Sequence, residues 1–202
     1  MKRPGAVALE GAVVRLEPLT AEHHGELLDV ALDPRIWEVG LNQIRDADDL
    51  RAYIDQALQW RREGHSLPFL IRERSSEKAV GSTRFGNIDI ANRKLEIGWT
   101  WIAPPWQRTA VNTECKYLLL GYAFDDLGTD RVEFKTDALN QASRAALRRI
   151  GATEEGILRH HMITASGRVR DSVYFSVLAE EWPGVKANLE RKLGREGSGA
   201  LG

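Results

Sequence analysis

The spacing of apolar residues changes along the chain, and each change marks an element. Residues 12–19, AVVRLEPL, predict a first strand. Thr20 then starts a helix that carries Leu27, Leu28 and Ala31 on one face. From Asp46 to Glu63 the residues Leu50, Ile54, Ala57 and Leu58 form one helical stripe, with aspartates at its positive end and Gly64 closing it. LPFLIRE at 67–73, AVGSTRFGNIDI at 79–90 and KLEIGWTWI at 94–102 read as three consecutive strands joined by polar turns, an antiparallel meander. A helix over 112–126 follows, led by Asn112 and ended by Gly128. Alternation returns in RVEFKTD at 131–137, Asn140 opens a short helix stopped by Gly151, and strands at 154–163 and 169–178 flank an ASGR turn. A last helix over 180–193 precedes a polar segment, so residues 1–194 read as one domain and 195–202 as a flexible tail.

The segment 106–113, WQRTAVNT, joins the meander to an apolar helix. Successive backbone NH groups at such a helix start can cradle a phosphate, because they are unpaired donors at the positive end of a dipole. Asn112 could also simply cap the helix, and the two roles are compatible. Composition narrows the partners. In 202 residues, 28 Lys and Arg stand against 29 Asp and Glu, so no overall field draws the chain to nucleic acid or to a membrane surface. The single cysteine, Cys115, excludes an internal disulfide and fits a cytoplasmic setting; on its apolar stripe it reads as a buried structural thiol. The histidines, in the pairs 23–24 and 160–161 and alone at 65, are poorly spaced for shared ligation, and no metal is expected. No P-loop, GxSxG elbow or HExxH motif is present.

From about residue 10 to 190, the order of elements resembles the GCN5-related N-acetyltransferase (GNAT) family. The register Gln107-Arg108-Thr109-Ala110-Val111-Asn112 is similar to that family's phosphate loop, Gln/Arg-x-x-Gly-x-Gly/Ala, with both small positions altered. NQASRAALRRIGATEEGILRHH resembles the branch that acetylates ribosomal protein amino termini. The resemblance implies a mixed α/β fold whose mostly antiparallel sheet splays at the acyl-CoA site between flanking helices. It also implies acetyl-CoA as the acyl-donor substrate, held by Trp101, Ile102, Gln107, Arg108, Thr109, Ala110, Val111, Asn112, Thr113 and Asn140. Asn140 would bind the pantetheine arm as well as cap its helix. Ser143 would assist the departing thiol, since the tyrosine that many members place seven residues after the asparagine is Leu147 here.

Transfer to an amine needs only a proton acceptor, a polarised carbonyl and close placement. Alternation puts Leu95, Ile97, Trp99 and Trp101 on one strand face and Glu96 on the other. Glu96 is therefore the expected base, with Asp171 and His160 next. The clustered tryptophans suit either a core or an aromatic wall for the amine acceptor, such as a protein amino terminus. A succinyl donor, a CoA-binding regulator without turnover, and a homodimer remain open at this stage.

Overall fold

The computed structural model describes residues 1–195. Its strands are β1 (Leu9–Glu10), β2 (Val14–Pro18), β3 (Leu67–Glu73), β4 (Lys78–Asp89), β5 (Lys94–Ile102), β6 (Arg131–Asp137), β7 (Thr153–Ile163) and β8 (Val169–Leu178). Its α-helices are α1 (His24–Ala31), α2 (Ala47–Arg62), α3 (Ala110–Gly121), α4 (Gln141–Ile150) and α5 (Trp182–Lys192). The fold is mixed α/β, as expected. One sheet runs in the order β1-β2-β3-β4-β5-β6-β8-β7. Neighbours are antiparallel except β5 and β6, which are parallel and paired only at Lys94↔Arg131, Leu95↔Val132 and Glu96↔Glu133. Beyond those pairs both strands continue without each other, so the sheet forks toward their C-terminal ends.

Strand alternation divides the apolar residues between two cores. Phe69, Ile71, Val80 and Ile97 pack with Val111, Cys115 and Leu119 of α3, Leu147 of α4 and Leu189 of α5. Leu70, Ala79 and Trp101 point to the opposite face, where Leu27 of α1 and Leu50 and Ile54 of α2 cover them. No helix among the described residues is long and apolar enough to cross a membrane.

Sequence periodicity fails in the middle of β5. Gly98 pairs with Arg84 and Trp101 with Ser82, so β5 uses Trp99 and Thr100 where β4 uses Thr83 alone. This is a β-bulge, and Trp99 takes up the extra residue at φ +50°. Leu95 and Ile97 consequently face α3 whereas Trp101 faces α2. The expected shared face of Leu95, Ile97, Trp99 and Trp101 is not formed.

The start of α3 also differs from the expectation of an Asn112 cap. Arg108 turns the chain at φ +59°, and Thr109 is the cap, its Oγ1 accepting from the Val111 NH at 3.3 Å. Asn112 lies inside the first turn, because Thr109 has already supplied the capping oxygen. After Gly121 the helix relaxes into a π turn, Tyr122–Asp126, before Gly128. Buried on α3 are two charges, Glu114 and Lys116. Glu114 accepts from the NH groups of Ala12, Val13 and Val14 at 3.0, 2.6 and 2.6 Å, anchoring the first hairpin. Arg195, expected in the flexible tail, pairs with the same carboxylate and stacks on Tyr117. The remainder of the expected tail, 196–202, lies outside the described residues.

Candidate active site

The fork opens toward two helix starts, α3 after β5 and α4 after β6. At the first, Gln107 Nε2 donates to the Ile102 carbonyl at 2.8 Å and Thr109 Oγ1 to the Trp106 carbonyl at 2.7 Å, which folds the loop back on its strand. Gln107, Arg108, Thr109 and Ala110 are exposed, and Asn112 is half-buried. The Val111 and Thr113 side chains turn inward, so only their backbones can face a ligand. Because Thr109 engages one of the four NH groups that a helix start leaves free, the cradle keeps donors for an anion. Ile102 and Trp101 are buried behind it on opposite sheet faces.

At the second helix start, Asn140 Oδ1 accepts from the Ser143 NH at 2.9 Å, so Asn140 caps α4 as expected. Its Nδ2 reaches the Val39 carbonyl at 3.5 Å. Val39 belongs to the segment between α1 and α2, which also bonds the β7–β8 turn through Ala165 NH to the Leu41 carbonyl at 3.1 Å. That segment and the turn enclose a cavity of about 480 Å³ whose lining includes Trp37, Glu38 and Arg168. Trp37 packs on Trp101, with ring centres 5.5 Å apart, linking the cavity wall to β5.

Glu96 stands where the last β5–β6 pair is made. It is 4% exposed, and its Oε2 receives both Lys135 Nζ and Asn87 Nδ2 at 2.7 Å. Burial works against the Lys135 charge, but the Glu96 carboxylate outweighs it and holds the ammonium above its ordinary pKa. Oε1 has no donor among the described residues and faces Gly98, where a Cβ would lie 2.9 Å from it. Glycine there leaves one carboxylate oxygen open beside the bulge. Of the other expected bases, Asp171 accepts from the His160 NH at 2.7 Å on the β7–β8 hairpin.

Comparison with known proteins decides the family. A profile described as "Acetyltransferase (GNAT) domain" matches residues 14–153. The chain belongs to the GNAT acetyltransferase family. It is 33% identical, over 85% of its length and 92% of the relative's, to a Bacillus subtilis (strain 168) protein named "Putative ribosomal N-acetyltransferase YdaF". A GCN5-related N-acetyltransferase from Brucella melitensis superposes with a TM-score of 0.87 at 32% identity, covering 94% of this chain and 86% of that one. Mycobacterium smegmatis RimJ, solved with CoA-disulfide, shares the fold with a TM-score of 0.81 at 23% identity, covering 96% and 98%. These likenesses make the chain an acyl-CoA-dependent acetyltransferase.

Around this GNAT site stand groups that sequence reasoning missed. Arg149 of α4 donates to Thr113 Oγ1 at 3.2 Å, adding a cation at the lip of the cradle. Lys116 Nζ donates to Thr100 Oγ1 at 3.0 Å and lies over the Phe134 ring of β6. It therefore bridges the two strands behind the fork, and burial pushes its pKa down to about 8. A lysine within an otherwise apolar helical run was the available signal. Cys115 is fully buried and burial pushes its thiol up to about 12, which makes it structural at neutral pH. Among the described residues no set of three His, Cys, Asp or Glu side chains is placed to hold a metal.

Proposed function

We propose that this acetyltransferase passes the acetyl group of acetyl-CoA directly to a primary amine, with a protein amino terminus as the favoured acceptor and the cytoplasm as its setting. The single observation behind this reading is the parting of β5 and β6 at Glu96, with one open carboxylate oxygen at the fork and a helix-start cradle at its mouth. Backbone NH groups of residues 108 to 113, with Arg108 and Arg149, would hold the pyrophosphate. Unpaired strand edges of the fork would bond the pantetheine amides, and Asn140 would add its amide. The acceptor would enter past Trp37 and Trp101. Its nitrogen attacks the thioester carbon, Glu96 Oε1 takes the amine proton directly or through water, and the C–S bond breaks as the thiolate is protonated from Ser143 or solvent. Resemblance to the named ribosomal N-acetyltransferase favours a protein amino terminus over a small amine. The test is thiol release from acetyl-CoA with ribosomal-protein amino-terminal peptides, polyamines and amino acids, beside acetyl-CoA binding. Turnover restricted to small amines would overturn the acceptor assignment. Tight binding without turnover on any acceptor would overturn direct transfer.

A further inference from the structure

Arg84 on β4 is among the largest fully buried side chains, 1% exposed, yet it belongs to no ion pair among the described residues. Its guanidinium lies over three aromatic rings, those of Tyr53 and Trp60 on α2 and of Trp99 at the β5 bulge, at 4.8, 5.8 and 5.2 Å from their centres. The rings supply no lone-pair acceptor, and the conventional hydrogen bonds of a guanidinium run in its own plane. The in-plane donors Nε and Nη2 are buried without a partner. Those two nitrogens make one edge of the fork, and other arginines of this chain show what that edge accepts. Arg35 presents Nε and Nη2 to the two oxygens of Asp33, Arg45 to those of Asp49, and Arg72 to those of Glu17. In Arg84 the same edge has no hydrogen-bond partner among the described residues. A charge so placed is costly unless something completes it.

Position gives the edge a use. Arg84 pairs with Gly98, the residue that faces Glu96 Oε1, and the cage ring Trp99 carries the bulge of the fork. The residues that carry all three rings are partly exposed, so the cage reaches the surface beside the buried edge. We propose that Arg84 is a carboxylate-recognition residue of the acyl-transfer site, pairing bidentately with a substrate carboxylate. Its ligand is either the far end of a dicarboxylic acyl group or an acidic side chain of the amine acceptor. This rests on the acetyltransferase reading above and narrows its substrate class.

Two arms separate the sources. In the first, the dissociation constants of acetyl-CoA, succinyl-CoA and the succinyl-CoA methyl ester are compared by calorimetry. In the second, rates with acetyl-CoA are compared for acceptor peptides carrying Asp or Asn at positions two to four. The charged member should be favoured at least 10-fold in one arm. Arg84→Met should reduce that preference to within about 2-fold while leaving acetyl-CoA affinity unchanged. Arg84→Lys, which keeps the charge and loses the fork, should fall between them and decides the matter if the Met variant does not fold. Indifference to charge in both arms would mean that water or packing alone satisfies the edge, and would overturn the proposal. A preference that survives in Arg84→Met would also overturn it. Absence of acetyl-CoA binding by the parent would instead strike down the acyltransferase reading, and this inference with it.

Discussion

At the scale of single residues, the proposed chemistry turns on Glu96. With Lys135 and Asn87 both on Oε2, Glu96→Gln keeps the size and loses the basicity of the free oxygen. Turnover should fall roughly 10²-fold with acetyl-CoA affinity unchanged. The deficit should shrink as pH rises, because more of the acceptor amine is already neutral. Steady-state rates over a pH series check this, and a variant-to-parent ratio near one at every pH would remove Glu96 from the reaction. Lys116 offers a second prediction. Its pKa of about 8 against 10.5 in an exposed lysine means that its charge, present in both folded and unfolded chains below pH 8, is penalised only when folded. That difference corresponds to about 3 kcal/mol, taking about 1.4 kcal/mol per unit. The penalty fades between pH 8 and 10.5 as the folded lysine loses its proton first. Lys116→Met should therefore be more stable than the parent at pH 7, by up to about 3 kcal/mol, and the gain should vanish toward pH 10.5. Denaturant titrations at pH 7, 9 and 10.5 measure it. Neither the partners of Glu96 nor the burial of Lys116 can be read from alternation alone, since Lys135 and Phe134 reach them from β6 across the fork and Asn87 from β4.

At the scale of elements, most strands and helices were legible because their apolar spacing is regular and their ends carry strong turn or cap residues. Misplacements arose where local signals compete. Thr109 and Asn112 are both good caps, and only the turn at Arg108 chooses between them. The bulge in β5 has no glycine or proline at Trp99 to announce it, so strict alternation was carried through a strand that changes faces. The cap assignment sharpens one prediction. Ala110 is the first helical residue, where proline fits the backbone well and only an otherwise free NH is removed. Ala110→Pro should keep its thermal midpoint and weaken acetyl-CoA binding at least a few-fold if that NH meets the pyrophosphate. Calorimetric titration reads the affinity, and an unchanged value in a folded variant would argue against the cradle.

At the scale of the whole molecule, α3 is the central connection. It underlies both sides of the fork, and through Glu114 it also ties the first hairpin to Arg195 near the other end of the described chain. Glu114→Ala would leave three backbone donors without their acceptor and should cost about 2–4 kcal/mol, measurable by urea unfolding. Neither the division into two cores nor this tie was read from the sequence, the tie because nothing local links residue 114 to residues 12–14. Among the described residues only three strand-register pairs join the half-sheets, with side-chain pairs such as Lys135–Glu96 and Lys94–Glu133 beside them. A plate split this far through has a built-in fault line, and past Glu96 and Glu133 the two lips of the crack have no strand partner in each other. A molecule wedged into that crack and bonded to both lips acts as a shim that restores the missing stiffness. Acetyl-CoA should thus slow amide exchange together along 97–101 and 134–137, on strands that do not touch each other there, and do so before any acceptor arrives.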